Sequence, residues 1–280
     1  MSKFGIVVDS SCDLRSNDIN VNDIDFTVVP LKIVVGDSEY VDNDDINVTK
    51  MLEEMDSYSG ASTTACPSPG DFIEGYKKSE NVFCFTLTSA LSGTNNSAVL
   101  AKTTLEDEGS TINVHVCDSH STAGHLIVLI KKTIELIQEG KTFESICEEI
   151  DAFNSELHIV FTLGSYSNLI KTGRMSNFVG AIASTLNIRA VCENTPEGEI
   201  QITKKTRGQK AAYNAFVELM MKKKSLDNLQ IYISHCQNLE AAEYIKNKIL
   251  ESCSSAKIEI RDCKGLTSFY AMKGGVLIGF

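Results

Sequence analysis

The stretch VFCFTLTSALSGTNNSA, residues 82–98, decides the fold because a β-strand runs directly into a Ser-Gly-Thr turn and the start of a helix. Val82–Thr86 is apolar and bounded by polar residues, which is typical of a buried strand. Gly93 lets the backbone approach a ligand closely, and the first N–H groups of a helix have no partners within it. The unit therefore predicts an anion-binding turn in an α/β fold, with an unoccupied helix cap as the alternative.

The rest of the chain repeats this alternation of short apolar runs and helical patterns, which predicts an α/β fold with a largely parallel sheet. The other predicted strands are Phe4–Val8, Val28–Val35, Asn113–Cys117, His158–Leu163, Ile188–Cys192, Glu199–Thr203, Gln230–His235 and Lys257–Arg261. The clearest predicted helices are Phe143–Asn154, Ala211–Lys224 and a helix that begins at Asn238 as its N-cap.

Charge is unevenly distributed along the 280 residues, whose formal net charge is −11. Residues 1–156 hold 27 acidic and 10 basic residues, whereas residues 157–280 hold 10 acidic and 16 basic residues. The net charge excludes a generally basic nucleic-acid binder. Because the balance changes sign near Glu156, where a new strand begins, we predict two domains, residues 1–156 and 157–280.

Cysteine and histidine usage argues against metal chemistry. None of the nine cysteines forms a C-x-x-C pair, and the five histidines do not cluster with them, so we expect reduced, buried cysteines and no metal site. The N-terminal apolar run is too short for a signal peptide, and no run approaches the length of a membrane span. We therefore expect a cytoplasmic protein without an integral membrane segment.

Three further polar segments are candidates for function. Asp9-Ser10-Ser11 follows the first strand, where open α/β sheets place their ligands, although the same residues also cap helices. Residues 61–72 form a loop of hydroxyl side chains stiffened by two prolines. Residues 169–176 and 204–208 are basic, glycine-containing loops that are either a partner surface or simply solvated.

The familiar nucleotide-binding and acyl-transfer motifs are absent. The sequence contains no G-x-x-x-x-G-K-[ST], no G-x-G-x-x-G after a strand and no G-x-S-x-G. His120 beside Ser121 leaves a hydrolase with Ser121 or Ser92 as nucleophile as an alternative, although adjacent residues seldom meet as nucleophile and base.

Six segments, taken in order, resemble the DegV family of bacterial fatty-acid-binding proteins, and the resemblance extends over nearly the whole chain. They are VVDSSCDL (7–14), TTACPSPGDF (63–72), SALSGTNNSA (89–98), VCDSHSTAG (116–124), KTGRMS (171–176) with Leu186-Asn187-Ile188, and KTRG (205–208).

The resemblance implies two α/β domains with an acyl-chain tunnel and a protein that binds a long-chain fatty acid without a cofactor. It implies a lipid-binding subunit rather than an enzyme, which presents the carboxylate to a separate ATP-binding fatty acid kinase for acyl-phosphate formation and phospholipid synthesis. Thr64 and Ser92 match residues at the carboxylate. Arg174 and Arg207 match arginines near the head group and the kinase-facing surface. A lipid-sensing module without a kinase is the alternative.

Two positions differ from the family pattern. Ala65 stands where members usually have Ser, and Tyr270 falls near the place of a usual His. A phenol donates a hydrogen bond but carries no positive charge at neutral pH. We therefore expect Thr64, Ser92, Tyr270 and the backbone N–H groups of Gly93 and Thr94 to satisfy the carboxylate.

Overall fold

A computed structural model describes residues 1–175 and 188–280. Its strands are β1 (Ser2–Asp9), β2 (Ile24–Val29), β3 (Lys32–Val35), β4 (Ser38–Val41), β5 (Thr63–Ala65), β6 (Ser79–Thr86), β7 (Asn113–Asp118), β8 (Ile159–Thr162), β9 (Ile188–Asn194), β10 (Ile200–Arg207), β11 (Gln230–His235), β12 (Lys257–Asp262) and β13 (Val276–Gly279). Its helices are α1 (Val48–Ser57), α2 (Pro69–Tyr76), α3 (Thr94–Asp107), α4 (Gly124–Gln138), α5 (Phe143–Ser155), α6 (Ser167–Lys171), α7 (Gln209–Lys223), α8 (Leu239–Ser252) and α9 (Gly265–Ala271).

The mixed α/β class predicted from the sequence is confirmed. The first sheet has the order β2-β1-β6-β7 with every pair parallel, and helices cover both faces. The second sheet has the order β10-β9-β8-β13-β11-β12, and a small antiparallel sheet joins β4, β3 and β5. The predicted boundary near Glu156 falls between α5 and β8, and the division into two domains stays a prediction.

The expectation of a largely parallel sheet is correct for the first sheet and wrong for the second. In the second sheet only β11 and β12 pair in parallel. The chain reverses between β9 and β10 through a tight turn, and β13 inserts antiparallel between β8 and β11. A hairpin and a returning C-terminal strand cannot be recognised from alternating element types alone.

Nearly all the predicted strands are present, and the differences have local causes. The predicted Val28–Val35 is two strands, because Pro30 between them has no N–H to donate to a ladder. β4, β5 and β13 were not predicted, since three or four residues are too few to show a period. Ser176 and the pair Leu186-Asn187 lie outside the described residues.

The three predicted helices are confirmed as α5, α7 and α8, with one correction at an N-terminus. Asn238 occupies the N-cap position of α8, but its side chain does not cap the helix. Its Nδ2 donates instead to the carbonyl of Gly274 at 2.9 Å. The hydrogen bond to Gly274 thus takes the place of the helix-capping hydrogen bond that the sequence predicts for Asn238.

Helix α4 joins the two large sheets. Its apolar side chains pack on the first sheet in a core cluster that also includes Tyr232 of the second sheet. At its first turn the backbone meets β13 directly, so that a Cβ added to Gly279 would lie 2.2 Å from the backbone nitrogen of His125. Only glycine permits this approach, which fixes the first sheet against the second.

We expect Gly279→Ala to destabilise the protein by about 1–3 kcal/mol or more, because the new methyl group must push α4 away from β13. Urea denaturation measures the change. Gly70→Ala is the matched control, since Gly70 lies in α2 and its added Cβ would meet only the Ser68 hydroxyl at 3.6 Å. That variant should be neutral or stabilised by up to about 1 kcal/mol. Equal unfolding midpoints for the two variants would contradict this account of the joint.

Candidate functional site

A cavity lies between the loops at the carboxyl ends of the first sheet and one face of the second sheet. Its empty space is about 840 Å³ with the open mouth included. The loops follow β2, β6 and β7, the edge where open α/β sheets bind ligands. The cavity is therefore built by both halves of the chain.

Most of the cavity wall is apolar. The side chains that form it are Leu31, Leu87, Leu91, Ile159, Phe161, Leu163, Leu169, Ile200, Leu266, Ala271 and Leu277. Several of them belong to a buried cluster that the second sheet shares with α6 and α9. Apolar atoms form most of the surface of the wall, so the cavity suits a ligand with a long hydrocarbon part.

One polar region contains three of the residues predicted from the sequence. Thr64 lies on β5 with its Oγ1 3.0 Å from the hydroxyl of Tyr270 on α9, and both line the cavity. Ser92 lines it too, and its Oγ lies 2.9 Å from Thr94 Oγ1. All three side chains are half-buried, so their hydroxyls are reachable from a partly open mouth.

Gly93 and Thr94 do not belong to the cavity wall. Gly93 is the exposed N-cap of α3, and Thr94 is buried behind Ser92. The backbone N–H of Thr94 donates to Ser92 Oγ at 3.3 Å. The structure therefore gives these two residues a role in positioning Ser92, and their predicted direct contact with a ligand stays a prediction.

Arg174 lies at the same end of the cavity. Its Nε donates to the carbonyl of Leu91 at 3.2 Å and its Nη1 to the carbonyl of Thr172 at 2.8 Å. Within residues 1–175 and 188–280, no carboxylate pairs with this guanidinium, and it is the one Lys or Arg that lines the cavity. Arg174 lines the cavity and is partly exposed, and its predicted place near the head group and on a partner-facing surface stays a prediction.

Arg207 lies elsewhere, exposed at the end of the edge strand β10. Lys205 beside it is also exposed, and Lys204 forms a salt bridge with Glu218 at 2.8 Å. None of these three basic residues lines the cavity. The basic residues of the two loops thus lie in different places. Arg174 lines the cavity, whereas Lys204, Lys205 and Arg207 lie on the outer strand β10.

The Asp9-Ser10-Ser11 segment serves as a cap and does not line the cavity. Asp9 is fully buried and accepts hydrogen bonds from the backbone N–H groups of Ser11 at 2.9 Å and Leu87 at 2.6 Å. Burial raises the pKa of this carboxyl to about 6, with the hydrogen bonds from Ser11 and Leu87 opposing the shift. Asp9 contributes indirectly, because Leu87 is part of the cavity wall.

Two more buried carboxylates hold α9, and sequence reasoning missed both. Asp42 accepts from the backbone N–H groups of Gly265 at 2.9 Å and Leu266 at 2.8 Å, and it also pairs with Arg15. Asp13 accepts from the N–H of Lys264 at 2.8 Å. These bonds satisfy the first turn of the helix that carries Tyr270. Nothing in the sequence marks these aspartates, whose partners lie more than two hundred residues away.

The geometry does not support a serine hydrolase. Ser92 Oγ bonds to Thr94, and Ser121 Oγ has no hydrogen-bond partner in the described part of the chain. His120 Nδ1 lies 3.7 Å from Asp118 Oδ2 and likewise lacks a hydrogen bond there. A nucleophile needs a base within hydrogen-bond reach, and neither serine has one among these residues.

The described residues contain neither a metal-binding cluster nor a helix that could span a membrane. No group of three or more His, Cys, Asp or Glu side chains there is arranged to hold a metal ion. No described helix has the length and apolar character needed to cross a bilayer. All nine cysteines are free thiols; Cys66 is exposed, and most of the others are buried.

Comparison with known proteins gives a consistent family. A family model described as "Uncharacterised protein, DegV family" matches residues 3–279. A DegV domain-containing protein of Streptococcus pyogenes serotype M18 is 38% identical over 275 residues, which is 98% of each chain. A DegV domain-containing protein of Streptococcus pneumoniae strain R6 is 34% identical over the same length.

Solved structures agree with the fold over almost the full chain. The Streptococcus pneumoniae fatty acid kinase (Fak) B3 protein loaded with linoleic acid has a TM-score of 0.94 and 34% identity, with 99% of each chain covered. A DegV family protein from Eubacterium eligens loaded with heptadecanoic acid has a TM-score of 0.92 and 28% identity, covering 99% of this chain and 98% of its own. One from Ruminococcus gnavus refined with vaccenic acid has the same score and identity, with 99% of each chain covered.

We expect Asp13→Asn to change how stability depends on pH. Burial raises the pKa of Asp13 from 3.8 to about 6, so the folded state binds this proton more tightly than the unfolded state. The stabilisation is present below about pH 4 and is lost as the pH rises through about 6, an effect on the order of 3 kcal/mol. The variant cannot titrate here and keeps the oxygen that accepts from Lys264.

Urea denaturation between about pH 4 and pH 8 measures this difference. Relative to Asp13→Asn, the wild-type protein should lose stability up to about pH 6 and change little above it. Asp107→Asn, at an exposed position, controls for the loss of one charge. A difference between wild type and Asp13→Asn that is the same at every pH would show that Asp13 stays ionised in the folded protein.

Proposed function

The chain belongs to the DegV family, and from that premise we propose that it binds a long-chain fatty acid in the cavity between its two large sheets. The single observation that carries the proposal is an apolar cavity whose wall combines Arg174, the one Lys or Arg there among the described residues, with the hydroxyls of Thr64, Ser92 and Tyr270. Its solved neighbours are named as proteins loaded with linoleic or heptadecanoic acid.

The hydrocarbon chain would supply the affinity. A sixteen-carbon acid has about fifteen carbon groups beyond its carboxylate, and burial at ~0.8 kcal/mol for each gives roughly 12 kcal/mol before costs. Association and ordering of the ligand cost several kcal/mol or more, which leaves micromolar to nanomolar affinity. The apolar wall formed by Leu31, Phe161, Leu163 and Leu277 is suited to this role.

The carboxylate is assigned to the end with Arg174. A buried carboxylate without partners is very costly, so its site must offer charge or hydrogen bonds. Arg174 has no carboxylate partner among the described residues. Thr64 and Tyr270 share one hydrogen bond, so one hydroxyl of that pair is free to donate, and Ser92 can donate when Thr94 supplies the proton of their contact. Glu199 lines the opposite end, where a second negative charge would be repelled.

We further propose that the bound acid is presented to a separate ATP-dependent fatty acid kinase, which forms the acyl phosphate used in phospholipid synthesis in the cytoplasm. The support is the partial exposure of Thr64, Ser92, Arg174 and Tyr270, which leaves the carboxylate end within reach of another protein. The name of the Streptococcus pneumoniae neighbour, a fatty acid kinase B3 protein, points the same way.

Removing the hydroxyls at the carboxylate end should weaken fatty-acid binding. Each hydrogen bond to a charged group contributes about 1.5–3 kcal/mol, so Thr64→Ala with Ser92→Ala should bind palmitic acid at least roughly tenfold more weakly. Isothermal titration calorimetry on delipidated protein measures the dissociation constant. The same double substitution should weaken the binding of palmitic acid methyl ester much less, because the ester carries no charge. Among these variants, Arg174→Ala should lose the most affinity for palmitic acid relative to its affinity for the methyl ester.

Thr103→Ala is the control for these variants, since its hydroxyl is exposed on α3 and bonds within that helix. Its affinity for palmitic acid should equal that of the wild type. If the double variant and Arg174→Ala bind the acid as tightly as the wild type does, the carboxylate lies elsewhere. If delipidated wild type binds no long-chain acid and gently purified protein releases none on extraction, the proposed function fails.

Arg207→Ala tests the step that involves a kinase. Because Arg207 is exposed and does not line the cavity, the variant should bind palmitic acid normally. Acyl-phosphate formation with a cognate kinase and ATP should be slower by about tenfold, the loss expected for one buried interfacial ion pair. Equal rates would remove Arg207 from the kinase-facing surface, and failure to capture any ATP-binding partner would favour a lipid-sensing protein instead.

A further inference from the structure

The cavity has a second polar region, at the end of β8 that lies away from Tyr270. Strand β8 shows how far apart the two polar regions lie. Just after its end, the backbone N–H of Gly164 donates to the carbonyl of Ala271, which is next to Tyr270 in the chain. At its beginning, the pairing of Val160 with Glu193 places Ile159 level with Asn194. The wall residues Ile159 and Leu163 are thus separated by about 13 Å along the strand. The two polar regions lie near opposite ends of this span.

The second region is formed by the turn after β7 and the β9–β10 turn. His120, Ser121, Asn194 and Gly198 line the cavity here. The backbone is held firmly, because Asn194 Nδ2 donates to the carbonyl of His120 at 3.1 Å. The carbonyl of Ser121 accepts from the N–H of Thr88 at 2.9 Å. The positions of these polar groups are therefore fixed before any ligand enters.

Ser121 is the unusual residue in this region. It is only 3% exposed and lines the cavity, yet its Oγ has no hydrogen-bond partner in residues 1–175 and 188–280. The neighbouring hydroxyls are all used: that of Thr88 donates to the Gly198 carbonyl at 3.0 Å and that of Thr122 to the Ser11 carbonyl at 3.3 Å. A buried hydroxyl without a partner is costly, so a group that pairs with it is expected.

The chemistry of the region favours a neutral oxygen. Beside Ser121, the Nδ1 of His120 is also buried without a hydrogen bond among the described residues. A hydroxyl and an imidazole nitrogen together offer the donor and the acceptor that an alcohol needs. Asp118 lies 3.7 Å from His120, and Glu199 lines the same end, so a second carboxylate would meet two negative charges.

Resting on the proposed function, we infer that this region binds an oxygen carried on the acyl chain, so that the cavity accepts hydroxylated or oxo long-chain fatty acids in preference to their unsubstituted parents. Arg174 would hold the carboxylate while Ser121 and His120 pair with the chain oxygen. The separation of the two polar regions requires that oxygen to lie beyond the middle of the chain. An oxygen next to the carboxylate would not reach it.

The test compares stearic acid with 12-hydroxystearic acid by isothermal titration calorimetry on delipidated wild type and Ser121→Ala. In the wild type the hydroxy acid should bind more tightly, and Ser121→Ala should reduce its advantage over stearic acid about tenfold. 2-Hydroxystearic acid should show no such advantage in either protein. Ser92→Ala, at the other end, should weaken both acids alike and leave their ratio unchanged.

Each outcome is decisive. An equal ratio of the two affinities in wild type and Ser121→Ala overturns the inference and assigns the Ser121 hydroxyl to water. An equal advantage for the 2-hydroxy and 12-hydroxy acids also overturns it. If stearic acid itself does not bind the wild type, the proposed function has failed, whereas normal binding of stearic acid with an unchanged ratio removes only the second polar region. An unaltered thermal unfolding midpoint shows that Ser121→Ala is folded.

Discussion

The cavity depends on hydrogen bonds between buried aspartates of the first half of the chain and backbone N–H groups of its walls. Asp13 and Asp42 together satisfy three consecutive N–H groups at the start of α9, and Asp9 does the same for Leu87. A helix end buried without such partners would be costly, as would a buried carboxylate without donors. The buried N–H groups and the buried carboxylates therefore satisfy one another, and these hydrogen bonds hold α9 against the first half of the chain.

That constraint explains how the polar parts of the cavity come together. With α9 fixed, Tyr270 meets Thr64 of β5, and the turn after β6 brings Ser92 to the same end. The face of the second sheet closes the opposite side with apolar residues such as Phe161 and Leu277. The result is a long apolar space with a cation and hydroxyls in its wall, an arrangement suited to an amphipathic ligand.

Sequence reasoning succeeded where the signal is local. The run Val82–Thr86 followed by Ser92 and Gly93 correctly predicted a strand, a turn and a helix, and the periodicity of Phe143–Asn154 predicted α5. It missed the short strands β4, β5 and β13. It also missed the antiparallel pairing of the second sheet, because pairing direction depends on which distant segment inserts beside a strand.

By itself, the sequence determined the α/β class, the family and the segments that carry the hydroxyls and arginines, because these follow from short patterns and their order along the chain. Only the tertiary structure decided which of them meet. Thr64 and Tyr270 are 206 positions apart and Asp42 and Gly265 are 223 apart, yet both pairs are within hydrogen-bond distance. Such contacts are set by the packing of whole sheets and helices against one another, and no local pattern encodes that packing.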